Sequence, residues 1–494
     1  MSFATRAADG SNTLNIKDQI GPQPLQSAES TSRFKIKNHS QADQDSFFKG
    51  QLRLESMQYL TPLPKAPQLT NSQLLTTHFL GQKTGSLLGA RLDLTAGTFF
   101  YRSQSHVIFH EAFIFNPRSE KHSFSLGRQK QHWSVVDELW QLGLWQPKFA
   151  LDALRPQEQG LLGLFYNYQP SKYFSMLLFS SPIFVPNMGP QIREEGGNLV
   201  SDSRWYTSPS SEYSFNNRVN SVVYKLDIPD QTRLASQYSS AIQLVAGAVD
   251  SGPWVQGSYA NKPVNELLLK RQAFKSTSES KVDVTVSPLV TRHRISSVDL
   301  GYSWRGGDSF YASEKENFYR GAQTQLILSY LEDQPNLIPA ETDWSVQKLE
   351  DLKIYSGTLM TQFRSWWLAP IQLHLSYLRT EGGQIQDIVS DGSNDDFTLF
   401  DERLKFKNAF FVQVKTPLWQ IWGRPLLGQL KWAYDDFQKG SLWSGELDYS
   451  INKNWQTMLG FDVLGVQDEA YKPASFLNQF RANDRVYGGM AYVF

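Results

Sequence analysis

The 494-residue sequence contains no cysteine, which excludes disulfides, thiolate metal sites and cysteine nucleophiles. It has no surplus of charge: 48 Lys and Arg balance 48 Asp and Glu. Without a bulk basic field there is no general attraction for nucleic acid, and no nucleic-acid partner is expected. No run approaches the roughly 18 apolar residues that a spanning helix requires; the best stretch, Tyr173 to Val185, is broken by Ser180, Ser181 and Pro182. A helical membrane protein is excluded. The opening MSFATRAADGSN also lacks the charged segment, apolar stretch and small-residue cleavage site of a secretory signal. An exported chain would then be numbered from its mature start, with Met1 added, and that is the expectation adopted.

Catalytic patterns are equally scarce. His106 and His110 stand four apart on one strand face with Glu111 on the other, unlike the one-face helical HExxH zinc motif. His293 sits between Arg292 and Arg294 at a strand end, and His374 is expected in a lumen beside Gln372. No set of nucleophile, base and carboxylate emerges. Gly306-Gly307 and Gly382-Gly383 read as turns, not phosphate loops. No enzyme, cofactor or metal is expected.

Aromatic residues, by contrast, make up 13% of a chain whose mean hydropathy is only −0.41. A polar average with many rings suits a membrane β-barrel, where a polar lumen dilutes hydropathy and rings gather at the interfaces. Residues 1–47 are rich in Ser, Gln, Asn and Asp with no apolar period, and read as a flexible periplasmic tail. From 48 to 494 short alternating segments continue to the end. In Ser441–Ser450, Trp443, Gly445, Leu447 and Tyr449 share one face, and Ser444, Glu446, Asp448 and Ser450 the other, because successive strand side chains point oppositely. Trp455, Leu459, Phe461 and Val463 repeat this against Gln456 and Asp462; Leu404, Phe406, Phe410, Val412 and Val414 repeat it against Lys405, Lys407, Gln413 and Lys415. Half-buried soluble strands alternate in the same way. These segments, however, match the ~9–11 residues of a tilted membrane strand, and rings such as Tyr449 and Trp455 flank the turn at 452–454.

The chain ends Gly488-Gly489-Met490-Ala491-Tyr492-Val493-Phe494, with Val486, Met490, Tyr492 and Phe494 on one face. This ending resembles the C-terminal signal of Gram-negative outer-membrane β-barrel proteins, in which a Gly precedes aromatic residues third from last and last. Gly489, Tyr492 and Phe494 match that signal, and Gly488 stands where a polar residue is usual. The resemblance implies insertion by the barrel-assembly machinery, contact with outer-membrane lipid, and Phe494 at the periplasmic rim. Leu126-Gly127-Arg128-Gln129, followed by Trp133, Asp137, Trp140, Pro147, Phe149 and Asp152, is similar to part of the substrate-selective porins.

The expected fold is therefore an all-β, antiparallel, up-and-down transmembrane barrel of eighteen strands, with sixteen to twenty allowed. The stretches near 74–80 and 253–260 are doubtful as strands. Counting back from Phe494 places 465–483, 381–401 and 333–352 outside the cell and the turns 450–454 and 368–370 on the periplasmic side. The long segments 261–280 and 306–321 then fall on the periplasmic side too.

Function must come from the lumen and the loops. Expected lumen charges are Arg53, Glu55, Arg91, Asp93, Lys281, Asp283, Arg305, Arg364, Lys405, Lys407, Lys415, Lys431, Glu446, Asp448 and Asp462, with Lys405, Lys407, Lys415 and Lys431 forming a positive wall beside the negative one of Glu446, Asp448 and Asp462. Such a lumen either filters solutes by charge or fills with salt bridges and conducts nothing. Two insertions, 129–158 and 184–217, either fold inward as constrictions or bind a partner, and the tail before Gln51 is a candidate plug or periplasmic tether. In the first, Trp133, Asp137, Glu138, Trp140, Asp152 and Arg155 are the constriction candidates. The preferred reading is a porin or selective channel for small hydrophilic solutes. A closed barrel docking a lipoprotein, appendage or secretion component comes second, and an outer-membrane enzyme third.

Overall fold

The computed structural model describes residues 46–494 apart from 64–68, 101–103, 118–120, 210, 216–217, 250, 276–280, 306–322, 336–346, 365–369, 390–396 and 473. The expected tail lies outside the described residues up to position 45. Eighteen antiparallel strands follow in chain order round a ring. The first nine are β1 (Phe47–Tyr59), β2 (Asn71–Thr84), β3 (Gly89–Phe99), β4 (Gln104–Phe115), β5 (His122–Gln129), β6 (Leu161–Ser171), β7 (Phe174–Ser181), β8 (Ser239–Gly247) and β9 (Gly252–Pro263). Then come β10 (Arg292–Arg305), β11 (Gln323–Pro335), β12 (Leu352–Arg364), β13 (Pro370–Gly382), β14 (Asn408–Ile421), β15 (Arg424–Asp435), β16 (Gly440–Ser450), β17 (Trp455–Val466) and β18 (Arg485–Val493). The last strand pairs with the first from Gln51↔Val493 to Tyr59↔Arg485, so the barrel is closed.

Polarity is inverted relative to a soluble barrel. Leu52, Leu54, Leu92, Val107, Leu164, Leu300, Leu328 and Leu459 are exposed on the outside, while Gln51, Glu55, Asp93, Gln243, Gln256, Asp299 and Asp462 are buried within. Only a solvent as apolar as lipid favours that arrangement. Rings band the outside near both rims. Tyr330–Tyr355, Tyr377–Phe410 and Trp432–Trp443 pair at 4.8–5.8 Å toward the long-loop rim. Trp455–Tyr492 and Tyr492–Phe494 pair at 5.0 and 6.2 Å toward the rim that holds the last residue. Tyr449 belongs to this lower band, its hydroxyl donating to Ile421 O at 3.1 Å.

Among the described residues three bulges alter the parity, one of them on β6 between Tyr168 and Ser171; the other two bear on the expected faces. On β4 the register shifts so that Asp93 faces Glu111 and Leu94 faces Phe109. The extra residue, His110, points inward to Thr95, and Glu111 also points inward, to Arg91, so the expectation that His110 and Glu111 lie on opposite faces is corrected. On β14 Pro417 faces Leu427 while Trp419 faces Leu426; the extra Leu418 turns Trp419 outward, as bulges re-aim a side chain.

Other expectations change with the topology. The doubtful stretches at 74–80 and 253–260 lie within full strands, β2 and β9. Lys281 and Asp283 are not in the barrel: Lys281–Leu289 joins Arg218–Leu226 in parallel, in a four-stranded sheet built by loops of the long-loop rim. Counting that strand as a barrel strand reversed the side of 261–280, which runs from β9 into the loop at the long-loop rim with the other long segments. The segment 306–321 lies outside the described residues, though its flanking pair Arg305↔Gln323 is at the short-turn rim. Leu404 and Phe406 do not face lipid, and Lys405 and Lys407 are not on a strand. These four residues precede β14, and Leu404 and Phe406 are buried in the apolar core inside the barrel.

Closure depends on Phe494 in a way that parity alone does not reveal. Its backbone exchanges two hydrogen bonds of 2.9 Å with Gly50, and its ring lies where a Cβ on Gly50 would be, 2.2 Å from the nearest ring atom. Gly50→Val is therefore expected to destabilise the barrel by about 1–3 kcal/mol, the usual cost of overpacking. Adding Phe494→Ala should recover part of that loss, because the two residues touch. Urea-unfolding midpoints read from heat-modifiable migration test this; strictly additive losses would contradict the contact.

Candidate functional site in the partly filled lumen

Residues 130–160, between β5 and β6, fold into the barrel and divide its interior. One half is apolar. Trp133 and Trp145 stack at 5.3 Å with planes 6° apart, and both are almost fully buried. Around them pack Val136, Trp140, Leu142, Leu144, Phe165, Phe179, Leu404 and Phe406. The short helix α1 (Val135–Leu139) starts this segment. Asp137 closes the turn after it by accepting from the backbone amides of Leu144 (2.8 Å) and Trp145 (3.2 Å). Burial pushes its carboxyl up to about 6, against those two amides, which favour the charged form.

The barrel wall secures this half with polar side chains. Ser258 and Ser297 donate to Trp133 O at 2.6 and 3.1 Å, and Gln256 donates to His132 O at 2.8 Å. Trp140 Nε1 donates to Ser376 at 3.0 Å, and Asn265 Nδ2 donates to Gly143 O at 2.8 Å. Within the segment itself Glu138 meets His132 at 2.9 Å. A backbone segment inside a barrel needs such partners, because lipid and apolar core supply none.

The tip of the segment reaches the opposite wall through charges. Arg155 bridges Glu55 of β1 (3.0 Å) and Asp462 of β17 (3.1 Å), with its guanidinium 3.8 Å over the Tyr487 ring. Arg485 of β18, fully buried, bonds Asp462 and Asp152 at 2.7 Å each. Arg53 adds a bond to Glu55 at 2.6 Å, and Tyr487 donates to Glu446 at 3.0 Å. The two walls of opposite sign expected from sequence are thus replaced near the tip by one alternating chain: Asp152, Arg485, Asp462, Arg155, Glu55, Arg53.

Beside this chain remains a cavity of about 430 Å³, within the ~300–1,000 Å³ of small-molecule sites. Lys431, Glu446 and Asp462 face it from the wall, Lys148 and Arg155 from the inserted segment, and Lys405 from the loop before β14. Burial and the neighbouring Lys148 bring the Lys405 ammonium down to about 7, with Asp152 opposing. Lys407 is buried away from the cavity, its ammonium 4.8 Å above the Phe437 ring. Asp93 is held by His78 at 2.7 Å, and Arg91 by Glu111 at 2.9 Å. Lys415 and Asp448 project inward from β14 and β16, in register with Gln429 and Leu427 of β15. Arg364 ends β12, and its side chain lies outside the described residues.

Three elements were missed by the sequence reading. Arg485 and Tyr487 were accessible, since the parity that turns Val486 outward turns both inward. A buried chain His293–Asp333–Arg403–Glu266, with contacts of 2.5, 2.6 and 3.1 Å, joins the tops of β10 and β11 to two loops. The other is Arg204, in the segment 182–238. Neither Arg403 nor Arg204 sits in a periodic segment, so no pattern signalled them.

No protein-family model matches the chain, and no curated protein matches it. Among solved structures, OccAB4 of Acinetobacter baumannii aligns with a TM-score of 0.47 at 10% identity, over 92% of this chain and 98% of that one. OccAB3 of the same organism gives 0.49 at 9% identity, over 91% and 99%. OpdK of Pseudomonas aeruginosa, crystallised with vanillate, gives 0.44 at 9% identity, over 90% and 98%. At these identities and scores no lumen residue of those proteins carries over to this chain.

Arg485→Ala removes the cation shared by Asp462 and Asp152; Asp462 keeps Arg155 and Asp152 is half-buried, so the expected loss is that of hydrogen bonds to charged groups, about 1.5–3 kcal/mol. Arg53→Ala, which leaves Glu55 paired with Arg155, should cost less than Arg485→Ala. Urea-unfolding midpoints of the two variants decide this; equal losses would show that the chain of charges does not run through Arg485.

Proposed function

We propose that the chain is an outer-membrane channel of a Gram-negative-type cell, passing small hydrophilic solutes. The observation that carries this reading is that an eighteen-strand barrel is too wide for its wall side chains to fill, and the inserted segment fills only part of it, leaving the charged cavity of about 430 Å³. A wall that only needed stability would be better served by apolar filling than by buried charges. In this reading Asp152 and Arg155 are the constriction, Glu55, Asp462, Lys431 and Glu446 are its counter-wall, and Phe494 with Gly489 and Tyr492 is the signal read by the barrel-assembly machinery. The short-turn rim faces the periplasm and the long-loop rim the cell exterior.

The alternating ion pairs also support a second reading, a closed barrel that serves as a docking scaffold, since Arg155 and Arg485 tie the inserted segment to the far wall. Planar-bilayer recording separates the two. The channel reading expects ohmic openings, with Arg155→Ala raising unitary conductance about two-fold or more by releasing the constriction from both carboxylates. Silence of both proteins, with heat-modifiable migration intact, would favour the scaffold.

Charge selectivity offers a further check. Lys405 faces Lys148 and Asp152, and titrates near 7. Raising the pH from about 6 to about 8 removes its positive charge, so the anion-to-cation permeability ratio should fall over that interval. Lys405→Met should remove the Lys405 share of the change and leave the part due to Asp137, which lines the same cavity and is brought to about 6 by burial. Reversal potentials in a salt gradient measure this, and an unchanged pH response in the variant would sink the assignment.

A further inference from the structure

Loop 182–238 leaves the barrel at β7 and returns at β8, yet its middle is fastened on the far side of the mouth. β8 stands seven strands from β1 in a ring of eighteen. Arg204, only 2% exposed, donates from Nη1 to Leu69 O (2.6 Å) and from Nη2 to Thr61 O (2.7 Å), both in the loop between β1 and β2. From Nε it donates to Asn483 Oδ1 (2.9 Å), and from Nη2 also to Ala482 O, both in the loop between β17 and β18. Asn483 returns a bond to Arg204 O at 3.2 Å, and the guanidinium lies 4.2 Å over the Tyr59 ring. Next to it Trp205 stacks on Phe476 with planes 4° apart and contacts Phe480 at 5.3 Å. Ser203, Arg204 and Trp205 form part of the lining of the same cavity as the inserted segment.

We propose that residues 203–205 form a strap across the outer mouth, that Arg204 is its clasp, and that releasing the clasp admits solute to the cavity. This rests on the channel reading only for its purpose; the closure itself is independent of conduction. The planar guanidinium fork reaches oxygens from two loops at once, which an ammonium on a single point cannot reproduce. Its named acceptors, at 61, 69, 482 and 483, lie in loops and not in the strand ladder, so the clasp can part without breaking a barrel pairing. Arg204 is a positioning residue: it holds Trp205 over the cavity.

The absence of native cysteine allows a direct test. Gln429→Cys, a lining position on β15, reports access when a charged, membrane-impermeant methanethiosulfonate is added from the long-loop side. With Arg204→Ala the labelling rate should rise about tenfold, as expected for losing buried hydrogen bonds; Arg204→Lys should fall between the two. Trp205→Cys with Phe480→Cys, joined by a short bifunctional thiol reagent cleavable by reductant, should slow labelling more than the same reagent slows it in the Gln429→Cys protein alone, where it can only cap the reporter thiol, and reductant applied before the reporter reagent should restore the rate. Heat-modifiable migration confirms an intact barrel in each case. Unchanged labelling in both the released and the crosslinked proteins would overturn the strap. Changed labelling with no conductance in any variant would instead uphold the strap and count against the channel.

Discussion

A strand in lipid has no water to satisfy its backbone, so every N–H and C=O of the wall must find a partner on a neighbouring strand. The pairing of β18 with β1, from Gln51↔Val493 to Tyr59↔Arg485, is what removes the last free edge. Much else follows from that closure. Strands that alternate up and down and meet again must be even in number, and the two ends must share a rim. Side chains that alternate along each strand then give the wall an apolar outer face, while its inner face carries polar groups together with the apolar residues, such as Phe165, Ile295 and Leu331, that pack against the inserted segment. Phe494 sits at this seam with its backbone bonded to Gly50 and its ring covering that residue. The glycine allows the approach; any Cβ there would occupy the ring's place.

Closure creates a second problem, since an eighteen-strand wall encloses more space than its own side chains fill. Residues 130–160 address it asymmetrically. Against β8 to β13 they form a packed aromatic core around Trp133 and Trp145, supported by serine and glutamine side chains from the wall. Against β1, β17 and β18 they present Asp152 and Arg155 instead. Apolar packing immobilises the root, while ion pairs hold the tip beside a cavity that remains open to charged and polar groups. A tip held by apolar contacts would have closed that space by the same collapse that buries Trp140 and Phe406.

What could be read from the sequence follows the division between wall and loops. Trp443, Leu447, Leu459, Phe461 and Tyr492 could be assigned to the outside because period-two alternation is a property of the strand alone. Glu446 and Asp462 were assigned inward by the same rule, and Arg485 could have been. The rule failed wherever the chain left the regular strand. One extra residue at His110 brought Glu111 to the inside, and one at Leu418 turned Trp419 to the outside. The alternating run Leu404 to Lys407 belonged to a loop lodged in the barrel, where Leu404 faces other core residues rather than lipid. Lys281–Leu289 alternates as well, because a loop sheet half-covered by its own neighbours obeys the same pattern as a membrane strand. Alternation reports that one side is apolar and the other is not; it does not report what the apolar side touches.

The loops at the outer mouth show why partner information matters more than pattern there. Arg204 and Arg403 are both buried, yet they use different acceptors. Arg403 meets Asp333 and Glu266, a charged arrangement that costs several kcal/mol to break because opposite charges would be left uncompensated. Arg204 meets carbonyl oxygens and an asparagine. Those acceptors lie in the loops after β1 and β17, and parting from them breaks no strand pairing. Arg403 is therefore suited to join the tops of β10 and β11 permanently to their loops, and Arg204 to a contact that opens and re-forms. The difference follows from where the acceptors sit: Arg403 is tied to Asp333 on the barrel strand β11, and the named hydrogen bonds of Arg204 go to loops.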